Sequence, residues 1–99
     1  MRRGEVWRVE TVGRDRIVLV VGNDAVTQLY DIVQCVPIED PTVARESLVS
    51  VPVTEPVKGV AAVVDAGAFR KARFTERLGA ADADVLDQVD VALRAVFDL

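Results

Sequence analysis

Arg16-Ile17-Val18-Leu19-Val20-Val21-Gly22-Asn23-Asp24 is the stretch whose reading decides the fold. After its first residue the run is continuously apolar, which suits a central strand covered on both faces. Gly22-Asn23-Asp24 stops it. Upstream, Gly4 to Glu10 alternates, with Val6 and Arg8 against Glu5, Trp7 and Val9. That is the pattern of a half-buried strand carrying Trp7. Val12-Gly13-Arg14-Asp15 reads as the turn between the two.

Downstream, Ala25 to Tyr30 reads as a short helical turn and Ile32 to Ile38 as a third strand, ended by Pro37, Glu39, Asp40 and Pro41. Thr42 to Glu46 is a polar connection. Leu48 to Val53 alternates again, and Pro52 and Pro56 cannot donate to a ladder, which places this strand at an edge. Gly59 to Val64 is a further strand, broken by Gly67, and Phe69 to Phe74 a short final one. Then the period changes. Val85, Leu86, Val89, Leu93, Val96 and Phe97 recur at helical spacing, with Asp84, Asp87, Asp90 and Arg94 opposite. Asp82 and Asp84 suit the positive end of a helix dipole, so the spacing predicts a helix over 81–97. The expected fold is α+β in one domain, residues 1–99. It is a small, strongly bent antiparallel sheet closing toward a barrel, with one long C-terminal helix whose apolar stripe must lie on the sheet or a partner.

Composition narrows the chemistry. The chain is 51% hydrophobic and 28% charged, which excludes intrinsic disorder. No apolar run reaches the roughly 18 residues of a membrane-spanning helix, and Met1-Arg2-Arg3-Gly4-Glu5 leads into no signal-peptide core, so a cytoplasmic protein with no membrane partner is expected. There is no histidine, one cysteine, and only Ser47 and Ser50 as serines. Ser-His-Asp and Cys-His catalysis and His- or Cys-cluster metal sites are therefore excluded. Cys35, inside an apolar strand, reads as an inert core thiol, and Trp7 as half-buried. The net charge of −4 argues against non-specific nucleic-acid binding by the surface as a whole. Arg70-Lys71-Ala72-Arg73 is the one basic run, read as a solvated strand edge. The acidic helix face, Asp82, Asp84, Asp87 and Asp90, lacks the glycine and loop spacing of a calcium site. No metal and no cofactor is expected.

Several pieces carry a resemblance. Met1-Arg2-Arg3-Gly4-Glu5-Val6-Trp7 resembles the opening of the MazF/PemK growth-inhibitor toxins, whose first strand begins Arg-Gly-acidic-apolar-aromatic. Arg16 to Asp24 resembles their second strand, an arginine, an apolar run, a small residue and Asn-Asp. Ile32 to Ile38, with Val36-Pro37 near its end, is similar to the third strand, Val60 to Leu78 to the next two, and Asp84 to Leu93 to the C-terminal helix. The resemblance implies an SH3-like barrel, a homodimer, an antitoxin partner, and metal-independent cleavage of single-stranded RNA by attack of a 2′-hydroxyl on the adjacent phosphate.

The resemblance carries the family's catalytic arginine onto Arg16, whose guanidinium fork can grip phosphate oxygens. Read as a residue alone, Arg16 is a strand-end arginine in water or paired with Asp15 or Glu39. Where the family has a hydroxyl residue, two places after Pro37, this chain has Glu39, and a carboxylate repels phosphate where a hydroxyl would donate. Catalytic positions are thus expected at Arg16 and Glu39, and RNA contacts at Arg14, Arg16 and Asp65. Asp65-Ala66-Gly67 stands where the family has Gln-Ile-Arg. Two function classes follow: an endoribonuclease toxin or an attenuated relative, and a catalytically inactive MazF/CcdB-like protein-binding module. Because this chain is itself acidic, an antitoxin is expected to dock through apolar side chains and strand pairing near Leu48 to Val53. The chain's ending, Val96-Phe97-Asp98-Leu99, lacks the aromatic-Gly-apolar pattern associated with CcdB.

Overall fold

The computed structural model describes residues 1–42 and 49–97. The polar connection expected over 42–46, apart from Thr42, lies outside them, as do Leu48 and the last two residues. Seven strands form one sheet: β1 (Glu5–Thr11), β2 (Arg14–Val20), β3 (Ile32–Glu39), β4 (Ser50–Val53), β5 (Gly59–Ala62), β6 (Gly67–Arg70) and β7 (Phe74–Ala80). Two helices, α1 (Asp24–Leu29) and α2 (Ala83–Phe97), and 3-10 turns at Val63–Asp65 and Lys71–Arg73 complete it. The strand order is β4-β5-β3-β2-β1-β7, with β6 pairing on β3. Every one of these pairings is antiparallel.

The apolar run does what its composition dictates. β2 lies between β1 and β3, and its residues alternate between two cores. Leu19 faces a larger core with Val6, Val36, Ile38, Val51, Val53, Val85 and Val89. Val18 and Val20 face a smaller one with Val9, Val33 and Cys35, bordered by Trp7, Phe69 and Phe74. α2 covers the larger core with Val85, Val89 and Ala92. It starts two residues later than its period suggested, because the Asp82 carboxylate accepts from the Val85 N–H at 2.9 Å and caps it.

The β1–β2 turn is also tighter than expected. Thr11 pairs with Arg14, leaving only Val12 and Gly13 as the loop. Gly13 has φ +89°, a backbone conformation that a side chain would strain. Residues 69–74 are not one strand. β6 ends at Arg70, the chain turns through Lys71–Arg73, and β7 begins at Phe74.

That turn forces the sheet to curl. β6 lies outside β3 and β7 outside β1, so in a flat sheet they would stand about four ladder spacings, ~19 Å, apart. The chain from Arg70 to Phe74 can span at most ~14 Å. The sheet therefore wraps around the smaller core, where Phe74 meets Trp7 edge to face at 5.9 Å. The path of paired strands nevertheless stays open, ending on β4 and β7, where closure toward a barrel was expected. Among the described residues no helix is long and apolar enough to cross a membrane.

Candidate functional site

The site is built by register. Ile17 pairs with Ile38 across β2 and β3, so the next pair outward is Arg16 with Glu39. Their side chains meet: Arg16 Nη2 donates to Glu39 Oε1 at 2.7 Å. Both are half-buried, with side-chain exposures of 27% and 23%. Of the two partners open to Arg16 in the sequence, Asp15 and Glu39, the fold selects Glu39, because Asp15 alternates to the opposite face.

Alternation sorts the remaining charges. Arg14 and Arg16 fall on the face of Val18 and Val20, with Val9 and Trp7 beside them on β1, while Asp15 and Glu10 pair on the reverse face. Arg14 is exposed at the hairpin end. β5 closes the other flank, with Val60 opposite Glu39. Gly59 makes that approach possible: a Cβ there would lie 2.7 Å from the Glu39 carbonyl oxygen. Beyond Glu39, Thr42 donates to the Asp40 carboxylate from its hydroxyl at 2.6 Å and its N–H at 2.8 Å. These bonds, the hydroxyl's first, hold the Asp40 carboxyl below its ordinary range.

Asp65 sits apart. It is exposed on a 3-10 turn whose Val63 packs into the helix-side core, and no hydrogen bond or ion pair joins it to Arg16 or Glu39. Cys35 is fully buried, and burial pushes its thiol up to about 12, so it is inert at neutral pH. Trp7 is half-buried, as expected.

The N-terminal residues that carried the resemblance form a structural knot. The Glu5 carboxylate accepts from the Arg2 N–H at 2.9 Å, the Trp7 indole N–H at 3.0 Å and the Arg77 guanidinium at 2.9 Å. Burial alone would raise its pKa, but these three donors outweigh it and hold the carboxyl at about 2. The Asn-Asp pair after β2 is structural too. Asn23 caps α1 by accepting from the Ala25 N–H, and Asp24 accepts from the Arg3 N–H at 2.7 Å. Arg3 also pairs with Asp90 and so ties the N-terminus to α2. The charged partners, Arg77 for Glu5 and Asp90 for Arg3, were not legible in the sequence, because they come from β7 and α2, more than seventy residues away.

A curled antiparallel sheet thus lies under one C-terminal helix, with an arginine at the outer end of its second strand. The family description that matches residues 2–97 is PemK-like, MazF-like toxin of type II toxin-antitoxin systems, and the chain belongs to that family. Among solved structures it resembles an endoribonuclease bound to its cognate antitoxin from a Mycobacterial species. Identity there is 20%, 100% of this chain and 96% of that chain are covered, and the TM-score is 0.92. A MazE–MazF structure from Deinococcus radiodurans matches at 22% identity over 100% and 96% of the two chains, with a TM-score of 0.87. The Mycobacterium tuberculosis toxin MazF-mt6 matches at 19% identity over 96% and 97%, with a TM-score of 0.82. No curated protein matches the chain in sequence.

Proposed function

We propose that this chain is a toxin that acts on single-stranded RNA as an attenuated, metal-independent endoribonuclease and is held in check by an antitoxin. On this reading the open, curled sheet is its version of the SH3-like barrel. The observation that carries the proposal is the ion pair between Arg16 and Glu39 at the outer end of β2 and β3.

In the reaction, a 2′-hydroxyl gives up its proton to water as its oxygen bonds to the adjacent phosphorus, negative charge builds on the phosphoryl oxygens, and the bond from phosphorus to the 5′-oxygen breaks as that oxygen takes a proton from water, leaving a cyclic phosphate and a 5′-hydroxyl. Arg16 supplies donors for those oxygens, and the exposed Arg14, two residues away on the same face, a further cation. Glu39 stands where a donor is needed and occupies one arm of Arg16. The pair is close to neutral toward phosphate, and removing one preorganised donor costs roughly 3 kcal/mol, about a hundredfold in rate or more. The alternative module would keep this fold and show no cleavage at all. Incubation with long RNA in EDTA tests the proposal. Slow cleavage that Arg16→Ala abolishes supports it. Rapid cleavage abolished by Glu39→Thr would instead make Glu39 the general base.

On this reading the antitoxin docks in the groove of about 390 Å³ between β4 and α2, lined by Val51, Val91, Ala92 and Ala95 with Ser50, Asp87 and Gln88 beside them. Docking there is mainly through apolar side chains, with Asp87 the one charge in the described lining, so affinity is expected to change little between low and physiological salt. A steep fall would contradict it. The chain is also expected to be a homodimer, which covers exposed apolar side chains such as Leu29 and Tyr30. Light scattering at tens of micromolar should give twice the chain mass.

A further inference from the structure

Four of the described arginines are taken up by carboxylates and five are not. Arg3, Arg8, Arg16 and Arg77 each hold a carboxylate: Asp90, Glu76, Glu39 and Glu5. Arg2, Arg14, Arg70, Arg73 and Arg94 hold none among the described residues, and all are exposed. Of these five, the register brings Arg14 and Arg73 to the same end of the sheet as Arg16. Val9 lies between Arg16 on β2 and Phe74 on β7, and Thr11 lies opposite Arg14. Arg73 immediately precedes Phe74, so its backbone stands about two ladder spacings, ~10 Å, from that of Arg16 across β1.

The turn that carries Arg73 is anchored at both ends. The Lys71 N–H donates to the Asp31 carbonyl at 2.8 Å, and the Phe74 N–H donates to the Lys71 carbonyl. Phe74 is itself wedged against Trp7 in the smaller core. Arg73 therefore leaves a fixed backbone with its charge uncompensated, and less freedom is lost when it meets an anion.

We propose that Arg73 is an RNA phosphate-contacting residue that extends the Arg16 site across β1, and that RNA affinity rests on the uncompensated Arg14 and Arg73 more than on Arg16. Arg16 is spent on Glu39, so binding and cleavage depend on different arginines. This rests on the reading of the chain as an RNA-acting toxin. Sequence pattern put Arg73 in a solvated strand edge, because only the curl of the sheet carries it from β6 toward Arg14.

The test is fluorescence anisotropy of the full chain in EDTA with a labelled single-stranded RNA oligonucleotide, 2′-O-methylated so that it cannot be cleaved. Arg94→Ala is the control. It removes the same charge from an exposed position on α2, which lies on the other face of the sheet. Arg73→Ala should weaken binding roughly fivefold and reduce the slope of log K against log salt by about 0.7, one phosphate contact on a single strand. Arg94→Ala should change neither, and Arg16→Ala should weaken binding less than Arg73→Ala. Equal effects of Arg73→Ala and Arg94→Ala would reduce the result to net charge and overturn the proposal. So would an unchanged affinity in Arg73→Ala beside a marked loss in Arg16→Ala, which would leave the RNA-acting reading standing. Absence of RNA binding by the native chain would overturn both.

Discussion

Two glutamate–arginine pairs on this sheet look alike and do different things. Glu5 with Arg77 and Glu39 with Arg16 sit at 2.9 and 2.7 Å, and the two glutamate side chains are 17% and 23% exposed. The difference is in the donors. Glu5 receives three, from Arg2, Trp7 and Arg77, and its carboxyl is held at about 2. Glu39 receives one among the described residues, from Arg16. A carboxylate whose lone pairs are filled by surrounding donors is a structural element, because removing it strands all of them. A carboxylate with one donor and open lone pairs, beside a cation at the edge of a face, can exchange its partner for a substrate. Similar burial and similar ion-pair length do not distinguish the two; the count of donors does.

The largest expected effect attacks the Glu39 side of this comparison. Glu39→Thr frees Arg16 and restores a hydroxyl donor, and RNA cleavage in EDTA should rise by up to about a hundredfold. Gel analysis of long RNA reads this directly, and an unchanged or lower rate would show that Glu39 is more than an obstruction. Glu5→Ala comes next. It leaves an indole N–H and a backbone N–H without their partner and should lower unfolding stability by about 2–3 kcal/mol in urea titration. Glu39→Gln should cost under ~1 kcal/mol. The reverse order would break the assignment of roles.

Acid sharpens the same contrast. The Glu5 carboxyl is depressed from an ordinary 4.5 to about 2, so the unfolded chain binds its proton first as pH falls. Its stabilising contribution is complete above about pH 4.5 and is lost between there and pH 2, on the order of 2–3 kcal/mol. The native protein should lose stability across that window more steeply than Glu5→Gln, followed by circular dichroism at fixed urea. The smallest effect belongs to a third pair, Arg8 with Glu76, at 3.3 Å with side chains 40% and 60% exposed. Arg8→Ala should change stability by less than ~0.5 kcal/mol from loss of that pair, and raised salt should erase the difference.

Legibility in the sequence followed the signals that carry it. The runs over 16–21 and 32–38 and the helical period over 85–97 placed β2, β3 and α2, since burial on two faces or along one stripe dictates those patterns. β7 was missed. Its pairing with β1 shifts register between Val6 and Trp7 and again between Arg8 and Val9. Such bulges break strict alternation, so Thr75-Glu76-Arg77 gives no strand signal. Arg16 and Glu39 were both legible as candidates through family resemblance, but their contact stood only as one alternative beside water and Asp15.

The sequence by itself determined which chemistry is possible: no imidazole, one buried thiol, and carboxylates and arginines to work with. It also determined where the apolar strands and the helix lie, because local periodicity records local burial. Only the tertiary structure decided which charges meet. Strand register sets Arg16 against Glu39 rather than Asp15, and the distant strand β7 brings Arg77 to Glu5 beside its local donors Arg2 and Trp7. The curl of the sheet brings Arg73 to the side of Arg14. Charge pairing depends on distances of a few ångströms, and those distances are set by long-range pairing that no local pattern encodes.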